Sequence, residues 1–130
     1  MIDNFICAWI YVSSTKKARE FYERVLGFSL VFEDKETGWV EFSINHSSTH
    51  LSCQEWGKTN ESQSKEMDAR DMIYQPKLVF STKSLVTMRE KLACRDVETS
   101  SIRKLKEISY INARDFDGNL IQIVEDATNV

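Results

Sequence analysis

Ala113-Arg114-Asp115-Phe116-Asp117-Gly118-Asn119-Leu120-Ile121-Gln122-Ile123-Val124-Glu125 closes the chain with a turn followed by a strand. Asp115, Asp117 and Asn119 can bond their own backbone, and Gly118 supplies the positive-φ position that such a turn needs. Leu120 to Val124 then read as a buried strand broken by one neutral amide, Gln122. A weaker strand, Ile108 to Ala113, leads into the turn, and a further weak strand is expected at Glu98 to Lys104. Upstream, Lys77 to Thr82 reads as a strand, and Ser84 caps a helix carrying Leu85, Met88 and Leu92.

The same order occurs once before. Phe5 to Ser13 alternates, with Ile6, Ala8, Ile10 and Val12 on one face and Phe5, Cys7, Trp9 and Tyr11 on the other. Both faces are largely apolar, so the strand is expected to be covered on both sides. Ser14 is an N-cap, and Ala18, Phe21, Tyr22, Val25 and Leu26 follow at α-helical spacing until Gly27 ends the helix. Strands are expected at Ser29 to Glu33, Trp39 to Ile44 and Thr49 to Gln54, with turns at Thr37-Gly38 and Asn45 to Ser48. Strand, helix and three strands thus appear twice, offset by about 70 residues. The reading is one domain over residues 1–130, with module one at 1–56, a polar linker at 57–74 and module two at 75–130. A short helix is expected near Ser64 to Arg70. Each module offers a sheet covered on one face by its own helix, and pairing the two free faces would enclose a cup.

Composition narrows the function. The chain has 130 residues, 42% of them hydrophobic and 28% charged, and a net charge of −3. No global positive field draws it to nucleic acid or anionic lipid. Arg103, Lys104 and Lys106 read as a solvated strand edge. No apolar run approaches the roughly 18 residues of a membrane span, and no signal-peptide pattern is visible, so the expected location is cytoplasmic. Cys7, Cys53 and Cys94 are odd in number and widely spaced, which fits reduced thiols; Cys7 reads as a small buried hydrophobe. No glycine-rich phosphate loop, nucleophile elbow or HExxH is present.

Ile10-Tyr11-Val12-Ser13 leading into Ala18-Arg19-Glu20-Phe21-Tyr22-Glu23-Arg24-Val25-Leu26-Gly27-Phe28, together with Asp115-Phe116-Asp117-Gly118-Asn119-Leu120-Ile121, resembles the vicinal oxygen chelate superfamily. That group includes glyoxalase I, extradiol dioxygenases, fosfomycin-resistance enzymes and bleomycin-resistance proteins. The resemblance implies an α+β fold of two βαβββ modules pairing mixed sheets around a cup. It also implies where a metal would be held. The first ligand, a His early in the first strand, falls on Cys7, and its counterpart in the second module falls on Lys77. The carboxylate of the final strand falls on Gln122, and a fourth ligand falls near His50 or Ser52.

These residue types suit a Lewis-acid site badly. Such ions are held by imidazoles and carboxylates, with positions left open for substrate oxygens. A protonated Lys cannot ligate, a Gln amide is neutral, and Cys7 with His50 falls short of a full ligand set. No cofactor is expected. The favoured function is a metal-free protein that sequesters or senses a small organic molecule, as bleomycin-resistance proteins do, with Cys7, Trp9, Tyr11, His50, Ser52, Lys77 and Gln122 lining the cup. A homodimer is expected from the resemblance. The competing reading is a lyase, isomerase or dioxygenase relative with an atypical metal set, or one that uses Lys77 or His50 directly. Glu125 and Asp126 are expected to face solvent.

Overall fold

In the computed structural model, residues 1–58 and 75–126 are described. They fall into two units, Met1–Pro76 and Lys77–Val130. The expected helix near Ser64 to Arg70 and most of the expected linker lie outside the described residues.

The first unit runs β1 (Cys7–Val12), α1 (Thr15–Ala18, continuing as a π-helix over Arg19–Val25), β2 (Ser29–Asp34), β3 (Trp39–Ser43) and β4 (His50–Glu55). Its four strands are ordered β1-β4-β3-β2, with β1 parallel to β4 and the other pairs antiparallel. The second unit runs β5 (Leu78–Thr82), α2 (Leu85–Cys94), β6 (Arg103–Leu105), β7 (Ile108–Arg114) and β8 (Leu120–Glu125). Its order, β5-β8-β7-β6, with β5 parallel to β8, repeats the first. The fold is α+β, two mixed four-stranded sheets in two βαβββ units. A parallel pair cannot be joined by a hairpin, so each helix serves as the crossover that the first strand requires.

Both helices start by the same device. Ser14 Oγ accepts from Lys17 N, and Ser84 Oγ accepts from Thr87 N. Glu55 Oε1 then accepts from Thr15 N at 3.1 Å, and Glu125 Oε1 accepts from Leu85 N at 3.0 Å. A carboxylate at the end of each unit's last strand thereby satisfies a helix N–H that would otherwise have no partner. Glu125, expected to face solvent, is instead half-buried and tied to α2. Periodicity could not reveal this, because the link spans the whole module.

The first helix departs from α-helical spacing. Leu26 N donates to Phe21 O at 2.9 Å, a bond reaching five residues back, and Phe28 N donates to Tyr22 O. The widened turn lets Phe21 and Tyr22, adjacent in sequence, both become fully buried. Gly27 then turns the chain out at φ +80°. On the outer side, Arg19 bonds Glu23 at 2.8 Å and Glu33 at 3.2 Å. The hydrogen bond to Glu23 is the main reason that the guanidinium is raised above its ordinary value.

Helix and sheet enclose an aromatic-aliphatic core in the first unit, with Ile10, Val12, Phe21, Tyr22, Val40, Phe42 and Cys53 fully buried. Tyr22 lies 6.0 Å from Phe42 and stacks on Phe28. The second core is aliphatic: Leu85, Leu92, Ile111, Ile121 and Ile123. The closing turn forms as expected. Asp115 Oδ1 accepts from Asp117 N and Asn119 N, its Oδ2 accepts from Asn119 Nδ2, and Gly118 takes φ +83°.

Several expected strands are trimmed, the first to Cys7–Val12 and the third to Trp39–Ser43 among them. Of the stretch Glu98 to Lys104 only Arg103 and Lys104 join a strand, Arg103–Leu105, preceded by a lone bridge between Thr99 and Ala113. Strand β6 is a sheet edge and fully exposed, as read for Arg103, Lys104 and Lys106. Lys77 lies outside β5 and is exposed.

Candidate functional site

Each sheet has a face turned away from its helix, and strand register fixes what that face carries, because cross-strand partners point the same way. In the first unit one row across the sheet is Tyr11, Gln54, Trp39 and Asp34. The next is Trp9, Ser52, Glu41 and Phe32, and the third is Cys7, His50, Ser43 and Ser29. Trp9, Tyr11, His50, Ser52 and Cys7, singled out from sequence, therefore do share one face.

That face is aromatic along β1. Trp9 meets Tyr11 edge-on with ring centres 4.9 Å apart, and Trp39 lies 6.0 Å from Trp9. Trp56 meets the other side of Tyr11 at 5.0 Å, again edge-on. Tyr11 is buried, whereas Trp9 is 42% exposed and Trp56 is 36% exposed. Strand β1 is therefore not covered on both sides as expected: Trp9 reaches solvent, and so do Phe5 and Ile6 ahead of the strand. Cys7 is half-buried rather than buried. The outer edge of β1 is held by a side chain. Tyr11 N donates to Gln75 Oε1 at 2.9 Å, and Gln75 Nε2 donates back to Tyr11 O at 2.7 Å. One amide thus mimics a missing strand at this position.

Polar groups sit beside the rings. Glu41 accepts from Trp39 Nε1 at 2.8 Å and lies 3.7 Å from His50 Nδ1. Ser52 is fully buried, and its Oγ has no hydrogen-bond partner among the described residues. Native interiors rarely leave a buried hydroxyl unmatched. Trp39, Glu41 and Trp56 were not singled out from sequence. Alternation puts Trp39 and Glu41 on one face, but only the pairing with β4 brings that face beside Trp9.

The corresponding face of the second unit differs. Its rows are Ser81, Val124, Tyr110 and Arg103, then Val79, Gln122 and Asn112, then Leu120 and Arg114. Lys77 continues the face that carries Val79, so Lys77 and Gln122 share a side of this sheet. Asn112 Oδ1, like Ser52 Oγ, is buried without a hydrogen-bond partner among the described residues.

Register also shows how the positions implied by the resemblance correspond between the two halves. Ser52 stands opposite Trp9 on β1 as Gln122 stands opposite Val79 on β5. The repeat therefore makes Ser52, not His50, the counterpart of Gln122, as Cys7 is the counterpart of Lys77. This donor set, with one thiol, one hydroxyl, one ammonium and one amide, does not fit the hard or borderline divalent ion that the fold implies. Among the described residues no group of three or more His, Cys, Asp or Glu side chains could hold a metal ion. No helix among them is long and apolar enough to cross a membrane.

Solved structures of the same fold are numerous. An antibiotic binding protein from Streptomyces sp. CB03234, TnmS3, superposes with a TM-score of 0.78 at 19% identity, covering 97% of this chain and 98% of that one. A glyoxalase/bleomycin resistance protein/dioxygenase superfamily member from Sphaerobacter thermophilus gives 0.76 at 21% identity, covering 96% and 98%. A lactoylglutathione lyase from Agrobacterium tumefaciens gives 0.72 at 16% identity, covering 96% and 95%. No curated protein matches the sequence significantly. The family model for the Glyoxalase/Bleomycin resistance protein/Dioxygenase superfamily matches residues 2–123, and the chain belongs to that superfamily.

Proposed function

We propose that the chain binds a planar organic molecule on the open face of its first sheet, without a metal, and so sequesters or senses that molecule. The observation that carries this reading is the group Trp9, Tyr11, Trp39 and Trp56, in which two indoles stay exposed beside the polar side chains of Glu41, His50 and Ser52. Exposed tryptophans cost solubility unless they serve a surface, and indole faces favour flat, apolar ligands. The likeness to an antibiotic binding protein is consistent with such a ligand.

Lys77 and Gln122 belong to the proposal as polar groups of the second sheet's face. A homodimer and a cytoplasmic location are part of it too. The exposed apolar residues Val31, Phe32, Leu105 and Ile108 favour a second copy covering them.

Titration with a planar polycyclic probe such as an anthraquinone dye, in the presence of chelator, tests the reading. Saturable quenching of tryptophan fluorescence with chelator present is expected. Absence of saturation, or binding that returns only on adding a divalent ion, would overturn it. An enzymatic reading has one observation in its favour, the approach of Glu41 to His50 Nδ1, which would orient Nε2 as a proton acceptor. Turnover of a carbonyl substrate that is lost in His50→Ala with folding intact would favour it over pure binding.

A further inference from the structure

The second unit contains a cavity of about 530 Å3 that the aromatic face does not share. Arg103, Arg114, Asn112, Ser100, Phe116 and Leu120 are among its lining residues. Three features of this lining point to one class of ligand.

The first is charge. Arg103 comes from the edge strand and Arg114 from the end of β7. Neither has an ion pair among the described residues. Arg114 Nη1 donates to Gly118 O at 2.8 Å, which anchors the arm over the closing turn and leaves its other N–H groups for a ligand. Two guanidinium groups lining one cavity suit a carboxylate, which they can bind through charge-assisted hydrogen bonds.

The second is an unmatched acceptor. Asn112 Oδ1 is buried and has no hydrogen-bond partner among the described residues. Its backbone is fully engaged with Ser100, whose Oγ accepts from Asn112 N while Ser100 N donates to Asn112 O. The backbone at this residue is therefore held in place on its strand. Brought to the cavity by a turn of the amide about χ2, this oxygen calls for a ligand O–H or N–H.

The third is the apolar part of the wall, Phe116, Leu120 and Ala113, which gives room for a short hydrocarbon chain. Asp96 and Glu98 lie on the same wall and would favour a cationic donor over a neutral one.

We infer that this cavity binds a small carboxylate carrying an adjacent hydroxyl or ammonium donor and an apolar chain, that is, an α-hydroxy or α-amino acid. The carboxylate is held by Arg103 and Arg114, and the neighbouring donor meets Asn112 Oδ1. This site lies wholly in the second unit and does not depend on the aromatic face having a ligand.

The test uses the isotope-labelled full-length protein and follows backbone amide shifts on titration with leucine, 2-hydroxy-4-methylpentanoate, 4-methylpentanoate and 3-methylbutylamine. Saturable shifts at Asn112, Ala113 and Arg114 are expected with leucine or the hydroxy acid. Binding several-fold weaker is expected for 4-methylpentanoate, which lacks the donor, and none for the amine, which lacks the carboxylate. Arg103→Gln, on an exposed edge where folding is not at risk, should weaken binding about tenfold, the usual scale of one charge-assisted hydrogen bond. The inference fails if neither leucine nor the hydroxy acid shifts these amides. It fails equally if Arg103→Gln binds as tightly as the parent, or if the amine binds as well as the acids. Loss of dye binding at the aromatic face would leave these shifts unchanged, so the two sites are tested separately.

Discussion

At matching positions of the repeat, Trp9 answers to Val79, Tyr11 to Ser81, Trp39 to Tyr110 and Glu41 to Asn112, while Asp34 answers to Arg103 and Ser43 to Arg114. One backbone plan therefore presents two chemically opposite faces. The first is aromatic and carries acids with no Lys or Arg in its rows. The second is aliphatic and amide-bearing, with arginines at its edge. The cores follow the same division, aromatic under the first sheet and aliphatic under the second. What the halves keep in common is structural: the Ser and Glu pair that starts each helix, the strand order and the parallel first-to-last pairing. A duplicated scaffold can hold such differences because strand pairing depends on the backbone, while the outward side chains are constrained only by what they meet.

The comparison can be broken or sharpened by paired substitutions. The largest effect is expected in the cores. Phe42→Ala should lower unfolding free energy by about 3–5 kcal/mol, against about 0.5–1.5 kcal/mol for Ile111→Val. Urea melts measure both, and equal losses would remove the contrast between an aromatic and an aliphatic core. On the open faces, Trp9→Ala should weaken binding of a planar dye by about tenfold or more, since a stacked aromatic contact and its buried area are lost together. Its repeat partner change, Val79→Ala, should leave calorimetric affinity nearly unaltered, and a matching loss there would place the ligand elsewhere.

The helix starts should behave alike. Glu55→Ala and Glu125→Ala are each expected to cost about 1 kcal/mol, the scale of one helix cap. A marked difference in thermal melts between the two would show that one carboxylate does more than cap. The smallest effect is expected at Ser52. Ser52→Ala removes a buried hydroxyl without a partner and should stabilise the free protein by up to about 1 kcal/mol. A loss of stability in the same melts would show that the hydroxyl is satisfied in solution.

Much of this plan was legible in the chain itself. Ser14, Ser84, Gly27 and Gly118 act locally, so capping and turn chemistry could be read at sight. Alternation placed Cys7, Trp9 and Tyr11 on one face, and His50, Ser52 and Gln54 on another strand's. The reading failed where an interaction reached across the module. Glu125 looked solvent-facing because nothing near it in sequence needs a carboxylate, yet α2 does. The stretch before Arg103 had strand composition but lacked a continuous partner, and only one bridge forms. Phe21 and Tyr22 fitted an α-helical stripe, but burying two adjacent rings required a wider turn.

By itself, then, the sequence determined the repeat, the order of strands and helices and the closing turn, because each rests on residue identity and short-range spacing. Only the tertiary structure decided that Ser52 rather than His50 matches Gln122, that Trp39 and Glu41 join Trp9, and that Arg103, Arg114 and Asn112 line one cavity. Those facts depend on strand register and pairing. A shift of one residue would turn every side chain to the opposite face, and local sequence does not encode which neighbour a strand will find.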